Sequence, residues 1–476
     1  MGGAASIALW LALGQTTAQA PPDFRAVVER GLHALAAGQF DAAEAALREA
    51  QRLHPRNPLV PFHLAQIHVQ RREFGLAIAS FRQAIALNPD EPQVYLGLAV
   101  LYTQLERFHD AQETLNQLLR ISPDNSHAYF LLGRVAEEQG EHALAEQHLR
   151  HYVRLKPGDA KGLAELGVAL LAQEKFPEAE PLLQEALAQN PNLGNARYNL
   201  GVLYSRRGED PQAKTHLEAA TRLLPENAQA YYELGTVLVR LDELANAETA
   251  FRKALELAPD YAEAHYALGT LLRRLGRAEE ATQALAEHER LSTAALEDRQ
   301  RSRRVTAYHL DVKGLLEQDR LEEAEAKLGE ILAIDPQNDL AYYRRAQIAF
   351  LRHEDDRALE DVRAALHRKE FEPAYYMLEA MCLERLGREE EAARAYERLL
   401  SLADYADAYV ALARLELRRG ETAQAVTLLR RAVALEPENP DLRLALAEAL
   451  ERAGDHVESQ KQRAEAEALR SKLNPR

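Results

Sequence analysis

Seven prolines set the terms for this chain. Pro55, Pro89, Pro123, Pro157, Pro191, Pro225 and Pro259 follow one another at intervals of 34 residues, and a fixed period of that length marks a structural unit copied in tandem. Three further columns keep the same register. One is small: Gly31, Ala65, Ala99, Gly133, Gly167, Gly201, Gly235 and Gly269. Twelve positions later stands alanine, at Ala43, Ala77, Ala111, Ala145, Ala179, Ala213, Ala247 and Ala281. Four residues beyond that comes a bulky apolar residue: Leu47, Phe81, Leu115, Leu149, Leu183, Leu217, Phe251 and Leu285.

Within each unit the apolar residues fall at helical spacing in two runs, separated by a short polar turn. In the unit around residue 240, Tyr231, Leu234, Gly235 and Leu238 mark one face of a first helix. Ala247, Phe251 and Ala254 mark one face of a second. Glycine often holds the turn, as at Gly140, Gly208 and Gly276, where it can take the left-handed conformation that ends a helix. Pro92, Pro373 and Pro440 lie near first-helix starts and Pro177 and Pro211 near second-helix starts, where proline is tolerated. Pro181 falls one turn into a helix, where it removes a backbone donor. Two helices cross closely only where the contact point lacks a bulky side chain, so Gly235 is expected to face Ala247, with Phe251 filling the space beside the crossing. One pair cannot bury its apolar stripe alone. Neighbours must stack, and the repetition itself makes the core.

Tyr231, Leu234, Gly235, Leu238, Ala247, Phe251 and Pro259 resemble the tetratricopeptide-repeat (TPR) signature, with Tyr where the motif prefers Trp and Leu where it prefers Tyr. The resemblance covers nearly everything after Asp23. It implies an all-α fold, a right-handed α-α superhelix (TPR solenoid) of about thirteen helix-turn-helix repeats.

The register breaks once. The proline expected at position 293 is Thr293, and Pro336 lies 77 residues beyond Pro259, nine more than two periods. The stretch "LSTAALEDRQRSRR" between is polar and helix-compatible. The columns then resume at Ala324, Ala358, Ala392 and Ala425, followed by Leu328, Val362, Tyr396 and Leu429; Glu370 and Asp404 twice replace the proline. The last unit has Ser459 in the alanine column and a charged second helix, the expected character of a solvated cap. The expected organisation is therefore residues 21–290 as a first array of about eight repeats and 291–304 as a charged helical junction. Residues 305–476 form a second array of about five repeats, cap included.

Residues 1–20 differ from the rest. The apolar run Ile7 to Leu13, polar "GQTT" and small-x-small Ala18 to Ala20 resemble a secretory signal peptide, too short to span a bilayer, which takes about 20 residues. An uncleaved start, or myristoylation through Gly2 with Ser6, are the other readings. Export to the periplasm or the exterior follows from the first reading, with no transmembrane segment after signal removal; a cytoplasmic location follows from the second.

Composition narrows the function. The chain has 74 acidic against 58 basic residues, a net charge of −16, the opposite of a generic nucleic-acid binder. Cys382 is the only cysteine, which rules out intrachain disulfides and multi-cysteine zinc sites. The sequence has no Gly-rich phosphate loop, no His-Glu-x-x-His pair and no Gly-x-Ser-x-Gly elbow, and the repeats leave little room for one. His142, His148 and His151 are close in sequence but read as packed or solvated side chains rather than metal ligands. Cys382 reads as a packed small hydrophobe and the run Arg299 to Arg304 as a solvated helix face. No enzyme activity, cofactor or metal is expected.

The resemblance also implies a groove. First helices line the concave surface in this family, with their second, fifth, ninth and twelfth positions facing inward. The fifth positions are Phe62, Leu96, Phe130, Ala164, Tyr198, Tyr232, Tyr266, His309, Tyr343 and Met377. The aromatic members, with His309, form the candidate peptide-binding set: Phe62, Phe130, Tyr198, Tyr232, Tyr266, His309 and Tyr343. Rings can pack on apolar side chains while hydroxyls bond to an extended main chain; the other account is that some rings only seal adjacent repeats. The Lys and Asn clamp used for acidic chaperone tails has no counterpart at Phe62, Gln66, Leu96 and Val100. The expected function is a non-enzymatic scaffold for a protein or peptide ligand, with an accessory subunit of a cell-envelope polysaccharide synthesis or export machine as the alternative. Oligomeric state is open.

Overall fold

The computed structural model describes residues 22–473. Across them run helices from Pro22–Ala36 to His456–Leu473, joined by short turns, with no strand among the described residues. The fold is all-α and built of stacked helix pairs, as the column pattern requires. All the alanine-column residues from Ala43 to Ala247 are fully buried, as are Leu47, Leu115, Leu149, Leu183 and Leu217.

The crossing differs from the expected one in a single respect. A Cβ added to Gly235 would lie 2.6 Å from Phe251 Cε1, and one on Gly133, Gly167 or Gly201 would lie 2.5–2.7 Å from Leu149, Leu183 or Leu217 Cγ. The small column therefore makes room chiefly for the bulky residue sixteen positions on, rather than for the alanine. The branched or aromatic side chain lies flat across the bare glycine backbone, and the alanine lets the second helix come near enough to put it there.

The turn between paired helices repeats a left-handed residue with the same period. Gly38, Gly140, Gly208 and Gly276 have φ between 71° and 77°, but Arg72, Glu106, Glu174 and Asp242 stand at equivalent points with φ between 56° and 63°. An L-residue is disfavoured there by about 1–2 kcal/mol, partly offset because glycine loses more entropy on folding. Glu106→Gly and Glu174→Gly are each expected to raise stability by up to about 1 kcal/mol in a urea titration, and Gly140→Ala to lower it by a similar amount. A loss on Glu106→Gly would mean that its side chain, not its backbone, fixes the turn.

First helices are often entered through a side-chain cap at the end of the preceding turn. Asn125, Asp159 and Asn227 accept from the backbone N–H of Ala128, Gly162 and Ala230 at 2.8–3.1 Å, and Asn338 from Ala341 at 2.9 Å. Each satisfies one of the orphan donors of a helix start. Pro181 lies inside the helix Phe176–Gln189, as its position in the sequence requires.

The expected junction 291–304 is the middle of one 40-residue helix, Ala278–Glu317. No proline interrupts this stretch and its only glycine is Gly314, so the second helix of one repeat continues into the first helix of the next array. By spatial contact the described residues divide into a continuous unit, 90–300, and a split unit made of 22–89 and 301–473. This is a division by contact rather than by sequence register.

In the split unit, helix Phe74–Leu87 packs against helix Glu389–Leu402. Phe74 meets Phe371 edge-on at 5.8 Å between centroids, Arg82 pairs with Asp404, and Arg82 Nη1 reaches the Leu400 carbonyl at 3.5 Å. Gly75 leaves room for the Arg398 guanidinium, whose Nη2 would be 2.8 Å from a Cβ there. The two acidic residues in the proline column thus have partners: Asp404 takes Arg82, and Glu370 takes Arg398 at 2.7 Å. At the far end Ser459 is fully buried in the alanine column, and its hydroxyl donates to the Ala447 carbonyl at 2.8 Å.

Candidate functional site

In the continuous unit the fifth positions fall on first helices, and Phe130, Tyr198 and Tyr232 are half-buried there. Phe130 packs on Tyr152 with centroids 5.1 Å apart, and Tyr232 lies 5.0 Å from Tyr261 and 6.1 Å from Phe251. Tyr198 is half-buried beside the same core. Tyr266 is 54% exposed, with its ring 5.2 Å from His288. Phe130, Tyr232 and Tyr266 thus pack on neighbouring rings while remaining partly exposed. Burial, followed by the charge of Glu233, pushes the Tyr198 phenol up to about 12, so it stays a hydrogen-bond donor across the physiological range.

In the split unit the same positions behave in three ways. Phe62 is 7% exposed and packs edge-on against Phe81 at 6.1 Å, a core contact rather than an open one. His309 is half-buried, with Nε2 3.0 Å from Asn338 Oδ1, and its carbonyl accepts from Arg344 at 2.9 Å. Burial lowers the His309 pKa, and the Arg344 charge adds to that. Tyr343 lies face-tilted on Tyr375, 4.6 Å between centroids, and its hydroxyl accepts from Gln347 Nε2 at 3.0 Å.

Tyr343 opens onto a cavity of about 360 Å³. Its walls come from the end of helix Ala278–Glu317 with the turn after it, from helix Asp339–Leu351 and from helix Pro373–Arg385. Tyr343 and Met377 are fifth positions, Gln347 and Met381 ninth positions, Ala374 a second position and Phe350 a twelfth. Leu316, Leu321, Ile348, Leu351 and Leu378 complete a largely apolar lining, with Gln347 and Asp319 as polar members. Leu351 is 62% exposed and Met381 37%. Two thioether side chains, flexible and polarizable, let such a slot adapt to guests of different shape. Gln347, Phe350 and Met381 were reachable from the inward-position rule; Tyr375, which props Tyr343 and donates to Asp339 Oδ2 at 2.6 Å, sits at a third position and had no such signal.

The remaining reactive residues are buried, stacked or paired. Cys382 is fully buried, and burial pushes its thiol up to about 12, far from a nucleophile. His151 stacks on Tyr129 at 4.9 Å, and His142 Nδ1 meets Glu137 at 3.1 Å. Among the described residues no group of three His, Cys, Asp or Glu is arranged to hold a metal ion. Nor is any described helix long and apolar enough to cross a membrane. The signal-peptide reading of residues 1–20 lies outside the described residues.

Known proteins give an independent measure. Family models described as tetratricopeptide repeat match residues 406–450 and residues 232–295, 312–373 and 356–408. A model described as the C-terminal domain of cilia and flagella-associated protein 70 matches residues 4–230. Among solved structures, a tetratricopeptide repeat protein from Parabacteroides merdae is similar at 19% identity and a TM-score of 0.43, over 53% of this chain and 100% of that one. PilF of Pseudomonas aeruginosa is similar at 22% identity and a TM-score of 0.40, over 44% and 95%. YrrB, described as a TPR protein with an unusual peptide-binding site, is similar at 24% identity and a TM-score of 0.33, over 39% and 95%. The comparison with curated proteins gives no match. Taken with the 34-residue register and the glycine-seated helix pairs, the family matches establish that the chain belongs to the tetratricopeptide-repeat family, whose fold suggests a scaffold for protein–protein interaction.

Proposed function

We propose that this chain is a non-enzymatic scaffold that holds a protein or an extended peptide against the exposed face of its first helices. The observation that carries the reading is the slot built by Tyr343, Gln347, Phe350, Ala374, Met377 and Met381. It is largely apolar and open, at least half of its lining comes from the positions that repeats of this kind direct inward, and the Gln347 amide can fix a main chain. The pattern of residues 1–20 supports export, and N-terminal sequencing of the mature chain from its native cell would test that part.

The groove is tested by selecting ligands from a displayed random-peptide library on the full chain. Met377→Lys with Met381→Glu places two charges in the slot, and Tyr198→Ala with Tyr232→Ala and Tyr266→Ala removes the tyrosine run. At least one of these variants should weaken the selected peptides about tenfold or more, roughly 1.4 kcal/mol, with helicity by circular dichroism unchanged. Selected peptides that bind both variants as tightly as the parent chain would overturn the reading.

A further inference from the structure

We propose that Glu233, among the rings of Tyr198, Tyr232 and Tyr261, is the seat for a lysine or arginine side chain of a peptide lying along the first helices of the continuous unit. The inference rests on the reading of that face as a peptide groove and adds the charge of the guest.

The starting point is a missing partner. Several half-buried or buried carboxylates elsewhere in the chain are matched to cations at contact distance. Asp361 meets Arg345 at 2.6 Å, and Glu146 meets Lys175 and Arg150 at 2.8 Å each. Glu248 meets Arg277 at 2.7 Å and Glu379 meets Arg363 at 2.8 Å. Glu233 is half-buried like these, yet it has no hydrogen-bond or ion-pair partner among the described residues. Two arginines act on it from a distance, Arg206 and Arg240. Arg240 is already committed, at 2.6 Å to Asp210 and 2.7 Å to the Ser205 hydroxyl. Arg206 is exposed at the end of the preceding first helix and makes no bridge.

Aromatic residues share the carboxylate's part of the face. Tyr232 precedes it, the Tyr261 ring lies 5.0 Å from that of Tyr232, and the phenols of Tyr198, Tyr232 and Tyr261 all feel the Glu233 charge. Ring faces attract a cation, and a carboxylate among them supplies the counter-charge. The site as it stands is costly to Glu233: burial raises its pKa, meaning that the charged form lacks stabilisation that a bound ammonium or guanidinium would provide. The feature recurs. Glu165, at the same sixth position of a first helix 68 residues earlier, has no contact partner among the described residues and is raised by burial in the same way. Two unmatched carboxylates on one face repel an acidic guest and favour a basic one.

The test starts from peptides selected from a displayed random library on the full chain. We expect lysine or arginine enriched at one position, and a synthetic peptide with norleucine in place of that residue to bind about tenfold more weakly. With Glu233→Gln the two peptides should bind within about twofold of each other, while Glu233→Asp, which keeps the charge, should restore a preference for the cation; thermal melting of both variants reports their folding. Absence of a cationic preference, or a lysine-to-norleucine loss of the same size in Glu233→Gln, would overturn the proposal. Peptides that bind without that preference, yet lose affinity in the tyrosine or methionine variants, would leave the groove standing and remove only this seat. No selectable peptide at all would remove both.

Discussion

Asp361→Ala is expected to lower stability by about 3–5 kcal/mol, because it strands a charged guanidinium inside a helix pair. Asp361 is 5% exposed and takes Arg345 in a bidentate pair, Nε to Oδ2 at 2.8 Å and Nη2 to Oδ1 at 2.6 Å. The guanidinium also lies over the Tyr342 ring at 5.4 Å. The pair flanks the small-to-bulky crossing of its repeat: Arg345 precedes Ala346 and Asp361 precedes Val362, both fully buried. A charge there can be matched only across the helix interface. Without Asp361, Arg345 must stay unpaired in a half-buried place or drag the first helix away from the second. Asp361→Asn should cost less, since it keeps one acceptor and the volume. The double replacement Arg345→Met with Asp361→Leu should recover most of the loss, as matched apolar substitutes for buried pairs often do. Urea titration of the four chains is the measurement, and a cost below about 1 kcal/mol for Asp361→Ala would mean that the pair behaves like an exposed one.

The fold was legible because its determinants are local and repeated. Each column residue fixes one contact within its own helix pair, so the proline, alanine and bulky columns were enough to place the paired helices. What escaped reading was set by backbone geometry or by distance along the chain. The left-handed turn at Glu106 and Glu174 carries no glycine, because the helix pair imposes that conformation whatever residue occupies it. The caps Asn125, Asp159 and Asn227 do stand in the register, 34 and 68 residues apart, and a search for cap residues before each first helix would have found them. The packing of Phe74–Leu87 on Glu389–Leu402 had no local signal beyond three oddities: Gly75 within a second helix, and Glu370 and Asp404 in place of proline.

The candidate site divides in the same manner. The inward-position rule, which the family resemblance supplies, leads to Tyr343 and Met377, and through them to the rest of the slot; helical periodicity then puts positions two, five, nine and twelve on one stripe. It does not say how deep a residue will sit. Phe62 obeys the rule and is nevertheless buried on Phe81, whereas Tyr266 obeys it and is half exposed. Glu233 lies off the stripe by one residue and gains its interest only from what fails to pair with it.

Gly201→Ala should reverse its sign with the residue it faces. In an open helix the change from glycine to alanine stabilises by about 1 kcal/mol. Here the new methyl would lie 2.5 Å from Leu217 Cγ and 2.8 Å from its Cδ2, with the Leu217 backbone nitrogen at 3.3 Å, so the leucine cannot move aside without moving its helix. Overpacking of this kind costs about 1–3 kcal/mol, which outweighs the propensity gain, and Gly201→Val should cost more. Leu217, itself fully buried, should cost about 2–5 kcal/mol as Leu217→Ala through the cavity it leaves. In that background Gly201→Ala has space, fills part of the cavity and recovers its helical advantage. The double variant should therefore be more stable than Leu217→Ala alone by about 1 kcal/mol, a strong departure from additivity. Ala65 and Ala99 occupy the same column fully buried, so a methyl is tolerated where the neighbours have been fitted around it. A double-mutant cycle by urea titration, with hydrogen exchange to localise the loss, decides the matter. Additive costs would mean that Gly201 and Leu217 do not share one contact, and the packing logic of the whole column would have to be redrawn.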